Sequence, residues 1–142
     1  MRFPIVIKDN SGTALITAPD CYLTKLPEIE FGKDVGTRIW EFTCGHLIYV
    51  MAGSQNLYKT YDPQLVSVIV ATFPIVGWAD GTFVKALRNV DSFTQYVGTK
   101  GEEARARQWN LSGKITFTLM QTSASNDMLS ALYDQDQMPL PA

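Results

Sequence analysis

The side chains able to do chemistry are few and scattered along this 142-residue chain. His46 is the single histidine. It follows an apolar strand pattern two residues after Cys44, and a general base or a metal centre needs more partners than one thiol. His46 is therefore read as structural. Asp134 and Asp136 flank Gln135 like part of a calcium loop, but the glycine and the distal glutamate of such a loop are missing. A solvated turn after a helix accounts for them. Arg105 and Arg107 stand two apart, and a solvated or ion-paired strand face explains them without a bound anion. No glycine-rich phosphate loop and no G-x-S-x-G elbow occurs. Cys21 and Cys44, the two cysteines, make no disulfide framework and read as reduced, half-buried thiols. No catalytic residue, metal site or cofactor is expected, and the chain is not read as an enzyme.

Charge and hydropathy exclude further classes. Twelve Lys and Arg against 14 Asp and Glu give −2, which offers no basic footprint for gripping nucleic acid. No apolar run approaches the roughly 18 residues of a membrane-spanning helix, and no basic-then-apolar export signal is visible. The length suits one domain with a core that needs neither metal nor disulfide.

The elements that would position these residues are mostly strands. Residues 3–8 (FPIVIK) form a β-branched run closed by the hairpin-type signal Asp9-Asn10-Ser11-Gly12. TALIT (13–17) resumes and stops at Ala18-Pro19-Asp20, and 21–26 is read as a separate strand ending at the bend of Pro27. Glu28-Ile29-Glu30-Phe31 alternates polar with apolar before a mobile loop, Gly32-Lys33-Asp34-Val35-Gly36. Residues 37–50 are long for one strand, with Trp40, Phe42 and Cys44 on one face and a bend at Gly45-His46. Val66, Val68 and Val70 belong to a strand expected to be buried on both faces. Residues 82–87 and 93–97 are further strands, and Thr99-Lys100-Gly101-Glu102 reads as a hairpin tip. EEARARQ (102–108) has a helical composition, but a helix there would stand isolated among strands, so a strand is favoured. KITFTLMQ (114–121) is the clearest strand. Behind it, Ser123, Ser125, Asn126 and Asp127 supply capping groups for one helix over 126–133, with Met128, Leu129 and Leu132 as its apolar stripe. The sum is a mainly β fold, a β-sandwich or partly closed barrel with one short α-helix.

Three pieces of the second half resemble the inner tail tube protein of contractile-tailed bacteriophages. They are Tyr61-Asp62-Pro63 with the valine strand, Gly77-Trp78-Ala79-Asp80-Gly81-Thr82-Phe83-Val84, and the strand-to-helix run ending Gln121-Thr122-Ser123-Ala124-Ser125-Asn126-Asp127. The first 50 residues also resemble this family, through Phe3-Pro4-Ile5, Lys8-Asp9, Ala18-Pro19-Asp20, Phe31-Gly32 and Trp40. The two blocks stand in reversed order. Residues 1–53 resemble the family's second half and 56–142 its first, with a seam near Gly53-Ser54-Gln55. The chain therefore reads as a circular permutant of a single tail-tube-like domain, with a natural rearrangement as the competing explanation.

The resemblance implies a structural virion protein, made in the host cytoplasm, that assembles with itself into stacked hexameric rings. The tail sheath, tape-measure and baseplate proteins would be its partners. DNA would pass through the lumen without specific binding, which suits the low charge. The alternative is a monomeric β-sandwich module that binds a receptor or carbohydrate. Two charged loops are the candidates for ring-to-ring contact: Lys33 and Asp34 in one, Lys100, Glu102, Glu103 and Arg105 in the other.

Overall fold

The computed structural model describes residues 2–10, 14–51 and 61–137. In chain order the elements are β1 (Phe3–Asp9), β2 (Ala14–Leu23), β3 (Thr37–Cys44), β4 (Ile48–Met51), a 3-10 turn (Pro63–Leu65), β5 (Val66–Val70), β6 (Phe73–Pro74), β7 (Val84–Arg88), β8 (Phe93–Val97), β9 (Glu103–Arg107), β10 (Gly113–Met120) and α1 (Ser125–Gln137). The fold is mainly β with one helix among the described residues, as the alternating patterns require. Eight strands share an antiparallel sheet in the order β6-β5-β1-β2-β3-β10-β7, with β4 paired to β2. The strands of the two sequence blocks are mixed in that order: β1 pairs with β5, and β3 with β10.

Pro19 explains the irregular centre of this sheet. The sequence suggests two strands with a break at Ala18-Pro19-Asp20, whereas Ala14–Leu23 is continuous. Proline donates no ladder hydrogen bond, so the neighbours give way instead of the strand. On one side, pairing with β1 slips between Phe3 and Ile5, a bulge beside Pro4. On the other side, β3 and β4 follow the same register along β2 and are parted by the Gly45-His46 bend. Asp20 repairs that gap. Its carbonyl accepts from the Gly45 amide at 3.2 Å and its Oδ1 from the His46 amide at 3.2 Å.

The sheet curls until its two margins meet. Residues 73–79 leave β5 and reach β10: the Ile75 amide donates to Val68 O at 2.9 Å, the Met120 amide to Gly77 O at 2.9 Å, and the Ala79 amide to Thr118 O at 3.1 Å. The result is a partly closed barrel, with one irregular segment as its last stave. Inside lie Phe3, Ile5, Trp40, Phe42, Val68, Val70, Ile115, Phe117 and Leu119, with Leu129 and Leu132 of α1 packed on them. The Phe42 ring centroid is 4.9 Å from that of Phe117 and 5.9 Å from that of Phe3.

Several expectations need correction. β5 is buried on one face only, since Ser67 and Ile69 point outward. The Glu28–Phe31 alternation forms no strand; those residues lie in the connection between β2 and β3, where no neighbouring ladder is present to pair with them. Residues 24–26 likewise fall outside β2. The helix runs four residues beyond Tyr133, so Asp134 and Asp136 sit in its last turns rather than in a turn after it. Solvent-facing Asp and Gln side chains cost a helix little, and proline first appears at Pro139. Cys21 and Cys44 are fully rather than half buried. Within the segment 102–108, Glu103–Arg107 is a strand, β9, as favoured. Ser11 and Gly12 of the first turn, the Gly53–Gln55 seam, and the chain ends Met1 and Ala142 lie outside the described residues.

Candidate assembly surfaces

The run from Gln121 to Asp127 is a structural clasp. Asn126 is buried, its Oδ1 accepting from Trp40 Nε1 at 3.0 Å while its Nδ2 donates to Met120 O at 2.9 Å and Gln121 O at 3.3 Å. Ser123 Oγ donates to Val76 O and accepts from the Ser125 amide at 3.2 Å, and Ser125 Oγ accepts from the Val76 amide at 3.0 Å. Gln121 Oε1 accepts from the Gly36 amide at 3.1 Å. One heptapeptide thus ties together β10, the helix start, the barrel's closing segment and the end of the β2–β3 connection. Gly77 belongs to this clasp because its φ is +78° and a β-carbon there would fall 2.5 Å from Ser123 Oγ. Asp62 of the Tyr-Asp-Pro motif has a similarly local duty: its Oδ1 caps the 3-10 turn by accepting from the Gln64 amide at 3.0 Å.

Two surfaces project from this frame. The first is an arm. Among the described residues β8 and β9 pair only with each other, yet their legs are stitched by Asn89 N to Ser112 O at 3.1 Å and Gln108 N to Ser92 O at 2.9 Å. The arm thereby prolongs the β7–β10 ladder into solvent. It turns at Gly98 to Glu102, where Gly101 has a φ of +85°. Apolar side chains on both its faces are uncovered, with Tyr96 58%, Val97 64% and Trp109 73% exposed. Lys100, Glu102, Glu103 and Arg105 all stand exposed on this arm. The Arg105 guanidinium lies 4.6 Å from the centre of the Phe93 ring, and that of Arg107 4.1 Å from the Trp109 ring. Two cations therefore cover part of the aromatic surface.

The second surface is the β2–β3 connection, residues 24–36. Lys33 and Asp34 are exposed there. So are Leu26, Ile29, Val35 and Phe31, the last at 83%. The structure thus puts the two sets of charged candidates on different elements, each beside apolar side chains that charge patterning did not single out. Their exposure in a connection without regular structure was hidden by the strand-like alternation around Ile29 and Phe31.

His46 is turned away from Cys44: its Nδ1 is 3.3 Å from Asp20 Oδ2, which also pairs with Arg2 Nη1 at 3.3 Å. Sequence reading paired His46 with Cys44 and missed Asp20, which is distant in the chain. Among the described residues no group of three or more His, Cys, Asp and Glu side chains could hold a metal ion, and no helix is long and apolar enough to cross a membrane.

The barrel, the clasp and the uncovered projections define a β-rich protein whose distinctive residues build scaffold and surface. Over 98 residues the chain is 32% identical to Structural protein ORF10 of Pseudomonas phage KPP10, a match covering 65% of this chain and 55% of that one. The chain spans about half the length of this curated relative. No family model matches, and no solved structure matches.

Proposed function

We propose that the chain is a structural virion protein, and within that class a tail-tube subunit that assembles with itself into stacked hexameric rings. The observation that carries the reading is the arm. A two-stranded ribbon is at best marginally stable alone in water, and this one exposes apolar side chains on both faces. Pairing with a neighbouring subunit would cover them and occupy open strand edges. The likeness to a phage structural protein supports the virion role, and the tail-tube resemblance of the motifs supports the ring. In a virion the sheath, tape-measure and baseplate proteins are the proposed neighbours, with DNA passing through the lumen unbound.

The reversed block order is proposed to be a circular permutation. The mixing of both blocks in one sheet supports it, because β1–β5 and β3–β10 pairing does not depend on which block comes first. A chain with the order restored should keep the same far-ultraviolet spectrum and the same assembly state.

Sedimentation and negative-stain microscopy across a salt series test the assembly. Rings held by strand pairing and apolar burial should persist, whereas stacking through Lys33, Asp34, Lys100, Glu102, Glu103 and Arg105 should weaken as salt screens charges over about 8–10 Å. A compact monomer at every salt and at high concentration would reject assembly and favour the monomeric binding module. Stacking indifferent to salt would remove the charged loops from the mechanism.

A further inference from the structure

We propose that Cys21 and Cys44 form a two-electron redox site, able to close a disulfide across β2 and β3. The two residues are direct partners in antiparallel register. Such partners have Cα atoms about 4.5–5.5 Å apart, within the roughly 4.4–6.8 Å that a disulfide spans. Both side chains point into the core with no exposed surface, and their sulfurs are in contact at 2.8 Å. Cys21 Sγ also lies 3.5 Å from Ala18 O. No backbone movement is needed to bring the sulfurs together.

The contact between the two thiols biases which sulfur reacts first. The hydrogen bond to Cys44, together with burial, pushes the Cys21 thiol far above its ordinary value. The same hydrogen bond holds Cys44 below its own, against the opposing effect of burial. Of the two, Cys44 thus loses its proton more readily, and it then attacks an incoming disulfide. Attack gives a mixed disulfide and releases one small thiol. Cys21 then displaces the second, giving up its own proton. In total the two cysteines lose two protons and two electrons, and the small-molecule disulfide is reduced to two thiols. Because both sulfurs are buried, attack requires β2 and β3 to part locally. The bond formed closes a loop with a sequence separation of 23 residues, the loop that carries the exposed 24–36 surface.

The test is an equilibrium, which removes the slow access to buried sulfur from the comparison. The whole chain is equilibrated with reduced and oxidised glutathione, from both directions, in native buffer and in urea. Mass spectrometry counts dithiol, internal disulfide and glutathione adducts. If native packing favours the bond, half-reduction of the native chain should need a glutathione ratio of the order of a hundredfold more reducing than in urea, as expected for a loop of this length. Digestion without reductant should join the peptides holding Cys21 and Cys44, and Cys44→Ala should leave only an adduct at Cys21. Equal ratios in buffer and urea, or adducts outnumbering the internal disulfide in the native chain, would overturn the proposal.

Discussion

Replacing Asn126 by alanine should expose what the clasp contributes. The substitution removes the acceptor of Trp40 Nε1, and Trp40 is 1% exposed. An orphaned buried donor costs about 1–3 kcal/mol. The Nδ2 bonds to Met120 O and Gln121 O are lost as well, although Met120 O keeps the Ser123 amide at 3.0 Å. With about 0.5–1.5 kcal/mol for each net hydrogen bond, partly offset at Met120, the total comes to about 2–4 kcal/mol. For a chain of this size that lowers Tm by about 5–15 °C. The assay is urea unfolding at fixed protein concentration, since any assembly makes apparent stability concentration-dependent. A double-mutant cycle with Trp40→Phe isolates the cause. Phenylalanine has no donor to orphan, so Asn126→Ala should cost about 1–3 kcal/mol less in that background. Additive effects, within about 0.5 kcal/mol, would refute the idea that the Trp40–Asn126 bond anchors the helix to the barrel.

Leu129→Ala should cost about 2–5 kcal/mol by urea titration, because the side chain is fully buried; a cost below about half a kilocalorie would mean that the helix stripe does not pack. Gly77→Ala combines a left-handed backbone with a collision at Ser123, so a loss of about 2 kcal/mol or more is expected, with faster hydrogen exchange at the Met120 amide. Tyr49 is raised above its ordinary value of 10.0 by burial, against a lowering contribution from Arg88. Its neutral form is therefore favoured by folding. That contribution is complete below about pH 10 and fades as pH rises through the folded value. Urea midpoints from neutral to strongly alkaline pH should fall less steeply in Tyr49→Phe.

What the sequence could disclose depended on the range of the interactions. Ile115, Phe117 and Leu119 alternate with Thr116 and Thr118, and that pattern alone orients β10. Trp40, Phe42 and Cys44 do the same for β3. Pro19 was misleading because its effect depends on pairing: it broke the neighbouring ladders and not its own strand, a consequence invisible until β1 and β3 are in place. The two cysteines are 23 residues apart, and only the β2–β3 register makes them neighbours. The Gln121 to Asp127 run was recognisable as distinctive, but its use was not. Its partners Trp40, Gly36 and Val76 come from three distant parts of the chain. The charged candidates were readable as loop residues, yet the apolar side chains beside them were camouflaged as strand pattern at Ile29 and Phe31, and as strand interior at Tyr96 and Val97.

The stitched arm also has a metric consequence. Val84 to Val97 ascends and Glu103 to Phe117 descends as one interrupted ribbon, and only its base is held by the barrel. Residues 89–97 can carry the tip at most about 30 Å beyond that base, at roughly 3.3 Å per residue. That length is a ruler written into the chain. Any second subunit whose body meets the tip must keep its centre within a spacing the ribbon dictates. Inserting or deleting a matched pair of residues in the two legs should change that spacing by one strand step, leaving the barrel as it is.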